Sequence, residues 1–257
     1  MKILVCVKQV PEMDTPIELD EASDTILLEE ISEFKMNRLD EFAVEEAVCI
    51  KEQMPETVID VITVGPQRSE EVVKRAIGMG ADKGVHVLTQ DDPDACATAT
   101  WIADYARDKT YDLIFTGSMS EDRMQGMVGA MIAAHLTLPC ATSVLHEKLI
   151  KQNQHISVER EIEGGHRDLV QLKLPAVLSL QSGINRPRYP SLSNLLRANN
   201  QELLTIDSKD LSSPLYREKI LKIALPQKSR SATVMEGTQQ EKAEQLLEIL
   251  HEKALIQ

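Results

Sequence analysis

The sequence predicts an α/β protein built on an open parallel sheet with helices on both faces. Three observations lead there. Lys2 to Val7 (KILVCV), Val58 to Val64 (VIDVITV) and Tyr111 to Thr116 (YDLIFT) are short, nearly unbroken apolar runs, as strands buried on both faces require. Between them lie stretches with apolar residues at helical spacing. The connections are short, so successive strands join by right-handed crossovers into one sheet.

Taken in order, Lys2 to Val7 is the first strand. Ile17-Glu18-Leu19 and Ile26-Leu27-Leu28, separated by acidic turn residues, predict a small excursion hairpin. Asp40 to Met54 is a helix with Phe42, Ala43, Ala47, Val48 and Ile50 apolar, stopped before Pro55. The strand Val58 to Val64 meets Gly65-Pro66 and a helix from Ser69 to Met79. Gly84 to Leu88 is a strand, Pro93 to Asp108 a helix, and Tyr111 to Thr116 a strand running into Gly117. Glu121 to Leu136, rich in Met, Ala and Gly, reads as a buried helix ending before Pro139.

A hairpin follows. Val158, Arg160 and Ile162 share one face of its first strand, Gly164-Gly165 supplies the positive backbone angles of the turn, and Leu169 to Leu174 returns. Pro175 breaks the strand before the apolar run Ala176 to Leu180. Asn185 to Pro190 is stiffened by Pro187 and Pro190, and a short helix follows with Ser191 or Ser193 as cap. We read Leu195 and Leu196 as its core contacts. Beyond Gln201 lie two short apolar pieces (Leu203 to Ile206, Ile220 to Leu225), a polar link from Gln227 to Met235, and an amphipathic helix from Thr238 to Leu255. That last helix either folds back on its own domain or reaches a second subunit.

Composition bounds the function. With 257 residues and a net charge of -13, the chain argues against phosphate-backbone binding, so no nucleic acid is expected. No apolar run reaches the ~20 residues of a membrane span, and the start shows no leader, which predicts a cytoplasmic protein. Cys6, Cys49, Cys96 and Cys140 are scattered without a Cys-x-x-Cys pair, and the six histidines fall at unrelated spacings; neither set suggests a metal. His166 lies in the hairpin turn as a solvated residue. No nucleophile elbow or zinc-protease motif occurs, which favours binding over catalysis.

In an open parallel sheet ligands sit beyond the carboxyl ends of the strands. Here that selects Lys8-Gln9-Val10, Gly65-Pro66 and Gly117-Ser118-Met119-Ser120. The stretch Gly117 to Gly129 (GSMSEDRMQGMVG) joins a strand to a helix, where free N–H groups and the helix dipole favour a phosphate. It is neither a Walker A loop nor a Gly-x-Gly-x-x-Gly fingerprint, so an ordinary connection explains it equally well.

Several motifs in fixed order point further. These are Val158-Glu159-Arg160-Glu161-Ile162-Glu163-Gly164-Gly165, Leu174-Pro175-Ala176-Val177 and Asn185-x-Pro187-Arg188-Tyr189-Pro190-x-Leu192. With them stand Val5-Cys6-Val7-Lys8-Gln9-Val10-Pro11, Met36-Asn37 followed by Ala43-Val44-Glu45-Glu46-Ala47, and Met79-Gly80-Ala81-Asp82. Together they resemble the beta (small) subunit of electron-transfer flavoproteins, over most of the chain up to Arg197.

The resemblance implies a heterodimer in which the large (alpha) subunit holds the redox FAD. The beta subunit carries a second adenine nucleotide, which is AMP in ordinary carriers and a second FAD in bifurcating members that oxidise NADH. The implied fold is of the adenine-nucleotide alpha-hydrolase-like type, a five-stranded parallel sheet plus a hairpin and C-terminal extension that wraps the partner. Residues 1–200 would form the nucleotide-binding domain, including the hairpin and recognition loop of 157–197. Residues 201–257 would be an extension contacting the large subunit.

Carried over residue by residue, the nucleotide site comprises Cys6, then Asn37, Arg38, Leu39 and Asp40, and Val64. Its loop runs Gly117, Ser118, Met119, Ser120, Glu121, Asp122, Arg123, Met124, Gln125, Gly126, Met127 and Val128. Met13 and Leu39 fall near the flavin of the large subunit, and Leu192 is the anchor that docks on acyl-CoA dehydrogenase-type flavoenzymes. A quinone oxidoreductase is the expected acceptor. Met124, Gly126, Met127 and Val128 stand where the family is polar, and Arg123 is an added cation that fits a phosphate. The resulting expectation is an electron carrier with AMP in this subunit. The alternatives are a bifurcating subunit with FAD in the same site and a stand-alone nucleotide-hydrolysing or adenylating enzyme.

Overall fold

Apolar runs without alternation do form the centre of the protein. The computed structural model describes residues 1–12, 19–20, 25–26, 33–150, 154–224 and 234–255. β1 (Lys2–Cys6) leads to β2 (Gln9–Pro11), which pairs antiparallel with β5 (Phe34–Met36). Of the expected excursion hairpin, β3 (Leu19–Asp20) and β4 (Thr25–Ile26) pair antiparallel; its remaining residues lie outside those described. α1 (Arg38–Gln53), β6 (Val58–Gly65), α2 (Glu70–Met79), β7 (Lys83–Leu88), α3 (Ala95–Ala106) and β8 (Leu113–Gly117) then alternate as the periodicity requires. α4 (Val128–Leu136), β9 (Cys140–Ile150), β10 (His155–Glu161), β11 (Arg167–Lys173) and β12 (Ala176–Leu180) complete the sheet's other half. α5 (Leu192–Asn199), β13 (Leu204–Asp207) and α6 (Gln239–Glu252) follow.

Among the described residues nine strands form one sheet, in the order β11-β10-β9-β12-β8-β1-β6-β7-β13. Seven of them, from β9 to β13 in that order, run parallel, and β10 and β11 extend the edge antiparallel. The fold class is therefore α/β with a mostly parallel sheet, larger than the expected five strands. The hairpin pairs edge-on with β9 through a register that holds from His155 against Ile150 to Glu159 against His146. Its turn has Gly164 at φ 78° and Gly165 at φ 75°, conformations a side chain would oppose.

Helices cover both faces. Ile3 and Val5 of β1 pack with Ala43, Val44 and Ala47 of α1 and Val73 and Ile77 of α2. Leu4 and Cys6 point the other way, toward Ala97, Trp101 and Ile102 of α3 and Ile132 of α4. The alternation of β1 between two apolar layers explains why its sequence shows no polar face.

Two expectations need correction. Glu121 to Leu136 is not one helix: α4 begins only at Val128, and within it only Gly129, Ile132 and Ala133 are buried. Met124 sits at φ 53°, and a side chain on Gly126 would come 2.5 Å from the Ser118 carbonyl oxygen, so residues 118–127 turn back on themselves instead. Leu196 is not a core contact, being 58% exposed; Leu195 does pack, its Cδ2 lying 3.0 Å from where a Gly78 Cβ would stand.

The chain divides into two compact units, Met1–Glu18 with Leu27–Leu221, and Leu19–Ile26 with Lys222–Gln257. In the second, α6 starts on a capping box in which Thr238 and Glu241 satisfy each other's backbone N–H groups. Its Leu246, Leu247 and Ile249 are exposed. No helix among the described residues is long and apolar enough to cross a membrane.

Candidate functional site

The strand order reverses beside β1. The chain leaves β1 through α1 for β6 on one side, while β8 returns on the other. Carboxyl ends of strands flanking such a reversal diverge and leave a crevice. Cys6, Val64 and Gly117 stand at the carboxyl ends of β1, β6 and β8, and Asn37 to Asp40 begin α1 above them. The expected site residues thus converge from four separate parts of the sequence.

Asp40 holds the crevice together. Its Oδ2 accepts the Lys8 N–H at 2.8 Å and its Oδ1 the Gly117 N–H at 3.0 Å, so one carboxyl clamps the ends of β1 and β8. Burial pushes this carboxyl up to about 7, and the Asn37, Lys8 and Gly117 hydrogen bonds with the Lys8 charge offset only part of that rise. Gly117 has to be glycine: a Cβ there would lie 2.4 Å from Asp40 Oδ1 and 2.9 Å from the Leu39 carbonyl carbon. Cys6 next to this carboxyl is no nucleophile, because burial, helped by the Asp40 charge, pushes its thiol far above the ordinary value.

Asn37 is the second clamp, 1% exposed. Its side chain gives α1 no cap; Nδ2 donates to the Met119 carbonyl at 2.9 Å and Oδ1 accepts the Glu121 N–H at 3.0 Å. The loop then folds back, with Ser120 N–H on Gln125 O (3.1 Å) and Met124 N–H on Ser120 O (2.8 Å). Lys8 Nζ binds Asp122 at 2.5 and 2.7 Å, and Ser118 Oγ donates to Gln181. Lys8, which the strand-end rule selected and the residue-by-residue carry-over left out, is therefore tied to the loop.

Arg123 is drawn elsewhere. Its guanidinium pairs with Asp92 and donates to the Pro93 carbonyl at 3.3 Å, tying the loop to the segment between β7 and α3. What the loop offers an anion is backbone. No hydrogen bond among the described residues takes the N–H groups of Gln125, Gly126, Met127, Val128, Gly129 and Ala130, and Met127 gives α4 no side-chain cap. Six successive donors ending in a helix N-terminus suit a phosphate group. Met124, 71% exposed, stands at the mouth. These residues fit a nucleotide with its phosphate on the 125–130 donors. Met13 lies outside the described residues.

The arm carrying Leu192 is fastened to α1. Arg188 makes a two-armed contact with Glu45 (2.9 to 3.1 Å) and reaches Glu52 at 2.7 Å, while Asn185 Nδ2 donates to Phe42 O and Glu46. Burial alone would raise Glu45; the Arg188 guanidinium and N–H outweigh it and hold its carboxyl below the ordinary value. Ser191, not Ser193, caps α5, accepting the Asn194 N–H at 3.2 Å. Leu192 follows, 73% exposed, beside Tyr189 at 89%.

An α/β sheet with a clamped, donor-lined crevice at its reversal point belongs to the class of folds in which ligands sit at the strand ends. Comparison with known sequences narrows it. The family model described as Electron transfer flavoprotein domain matches residues 25–211. Similar over 98% of both chains, at 30% identity, is the electron transfer flavoprotein subunit beta of Methylophilus methylotrophus. The protein of the same name from Dictyostelium discoideum is 33% identical over 100% of this chain and 99% of its own. That of Bacillus subtilis (strain 168) is 32% identical over 88% and 89%. The chain belongs to the electron transfer flavoprotein beta-subunit family.

Proposed function

We propose that this chain is the small subunit of a heterodimeric electron carrier, with AMP in the crevice at the ends of β1, β6 and β8. The carrying observation is the run of unsatisfied N–H groups from Gln125 to Ala130, held open by Asn37 and Asp40. In this reading the 125–130 donors take the phosphate, and Cys6 and Val64 line the crevice floor. FAD, held by the large subunit, supplies the redox chemistry; this chain contributes positioning and electrostatics. Its C-terminal extension, with Leu246, Leu247 and Ile249 exposed on α6, contacts the large subunit.

Leu192 is the docking anchor for an acyl-CoA dehydrogenase-type donor, and a quinone oxidoreductase is the acceptor. An exposed apolar side chain on the first turn of a capped helix, behind the Arg188 lock, is what a hot spot needs: it is held out at little further ordering cost. The test is a nucleotide inventory. Purified heterodimer, denatured and its nucleotides quantified, is expected to release one FAD and one AMP. Two FAD and no AMP would overturn the carrier reading in favour of a bifurcating subunit.

A further inference from the structure

A cavity of about 150 Å³ lies between α1, α2 and the arm that carries Leu192, and Arg38, which the resemblance assigned to the nucleotide site, lines it. Arg38, Arg75 and Arg188 line it with Phe42, Pro187 and Tyr189, and Glu41 is the one acid among them. On a chain of net charge -13, three guanidinium groups meet around one hollow, and the acids that touch them, Glu41, Glu45 and Glu52, engage Arg75 and Arg188 but leave Arg38. Arg188 is fully engaged by Glu45 and Glu52. Arg75 is half engaged: its Nε and one terminal nitrogen hold Glu41 Oε1 at 3.0 and 2.8 Å. Arg38 makes no side-chain hydrogen bond or ion pair among the described residues.

We propose that this cavity receives an acidic side chain of the flavoenzyme that docks on Leu192. Size selects that occupant: the space is well below the roughly 300 Å³ at which small-molecule sites begin, but ample for one carboxylate-bearing side chain and a water. Chemistry selects it too, since Arg75 already grips a carboxylate there, that of Glu41. The guanidinium of Arg38 and the remaining terminal nitrogen of Arg75 line a hollow whose one acid is Glu41. Tyr189, 6.0 Å from the Arg75 guanidinium, leads from the pocket to Leu192 three residues on. The inference rests on the docking reading of Leu192 and adds a charged contact to an apolar one.

Opposite-direction variants test it. The probe is medium-chain acyl-CoA dehydrogenase reduced with octanoyl-CoA, and the readout is its KM in reducing the intact heterodimer, at several ionic strengths. Arg75→Gln leaves Glu41 facing the incoming acid and is expected to raise KM about fivefold and flatten its salt dependence. Glu41→Gln frees Arg75 and is expected to lower KM about threefold and steepen that dependence. Both substitutions break the same ion pair, so a merely structural role would move KM in one direction for both, and that result overturns the proposal. So does an unchanged KM in both variants. If Leu192→Ala still raises KM in that case, the docking reading survives; if it too is silent, both fall.

Discussion

Truncating Arg188 probes the lock between arm and α1. Glu45 is nearly buried, its side chain 6% exposed, and Arg188→Ala removes three of its hydrogen bonds while the residue-188 N–H at 3.0 Å stays. Leaving one partner of a buried pair alone costs about 3–5 kcal/mol. The Arg188 side chain is 37% exposed, so water reaches the vacated carboxylate and trims that figure to about 2 kcal/mol. The Glu52 contact, at the exposed end of the guanidinium, adds nothing to the sum. For a chain of this size the loss corresponds to about 5 °C in melting temperature, measured on the heterodimer at fixed concentration. Because the penalty is an unpaired buried charge, Glu45→Gln combined with Arg188→Ala should recover at least half of it. Glu45 is held below its ordinary 4.5, so the lock is complete above that value and fades as pH falls through the lower folded one. The Arg188→Ala deficit should shrink correspondingly in acid. A shift under about 1 °C, or a double variant no more stable than the single, would refute this account.

Other outcomes follow from the crevice and its surroundings. Gly117→Ala should cost about 1–3 kcal/mol by overpacking against Asp40 and the Leu39 backbone, and should lower the AMP content of the purified heterodimer; retention of both stability and AMP would show that the clamp can yield. Asp40 carries a raised carboxyl, from 3.8 to about 7, so the folded chain binds the extra proton and wild-type stability should fall as pH rises between those values. Asp40→Asn should remove that slope in thermal melts at pH 5 to 8, and an unchanged slope would assign it to another group. Asp94 accepts the N–H groups of Ala97, Arg217 and Glu218, so Asp94→Ala should release the 211–221 segment to limited proteolysis; equal digestion rates would count against this. Leu192→Ala should slow reduction by the dehydrogenase about tenfold without changing flavin content, and unchanged kinetics would remove the anchor role.

Much of this was legible in the sequence because β1, β6 and β8 are buried on both faces and say so in their residues. The helices of the α/β alternation were visible from Phe42, Ala43, Ala47 and Ile50, and from the stop at Pro55. β9 was not visible. Its pattern of buried residues slips from Ala141 to Val144, because Ser143 takes φ 55° and the pairing with β12 shifts there, so no simple period survives. α4 was overextended because Met, Ala and Gly from 121 onward suit a helix locally, while Asn37, far away in sequence, holds the Glu121 N–H and the Met119 carbonyl in a loop. Arg123 likewise turns toward Asp92, in the segment before α3, and Lys8 reaches Asp122 across 114 residues. Side-chain partners so far apart leave no trace in local periodicity. Leu192, assigned to docking by motif alone, is exposed in the structure.

One helix carries both attachments. Asp40, in the first turn of α1, closes the crevice, and Glu45, five residues on, holds the arm. At about 1.5 Å of rise per residue the two fixings are roughly 7.5 Å apart along a single rigid rod. Positional error between crevice and arm therefore accumulates over barely a turn and a half of helix, with no loop in the chain of tolerances. The interior of the protein thus serves as the ruler for its exterior: wherever a visiting protein grips the arm, its distance to the strand ends is already set by α1.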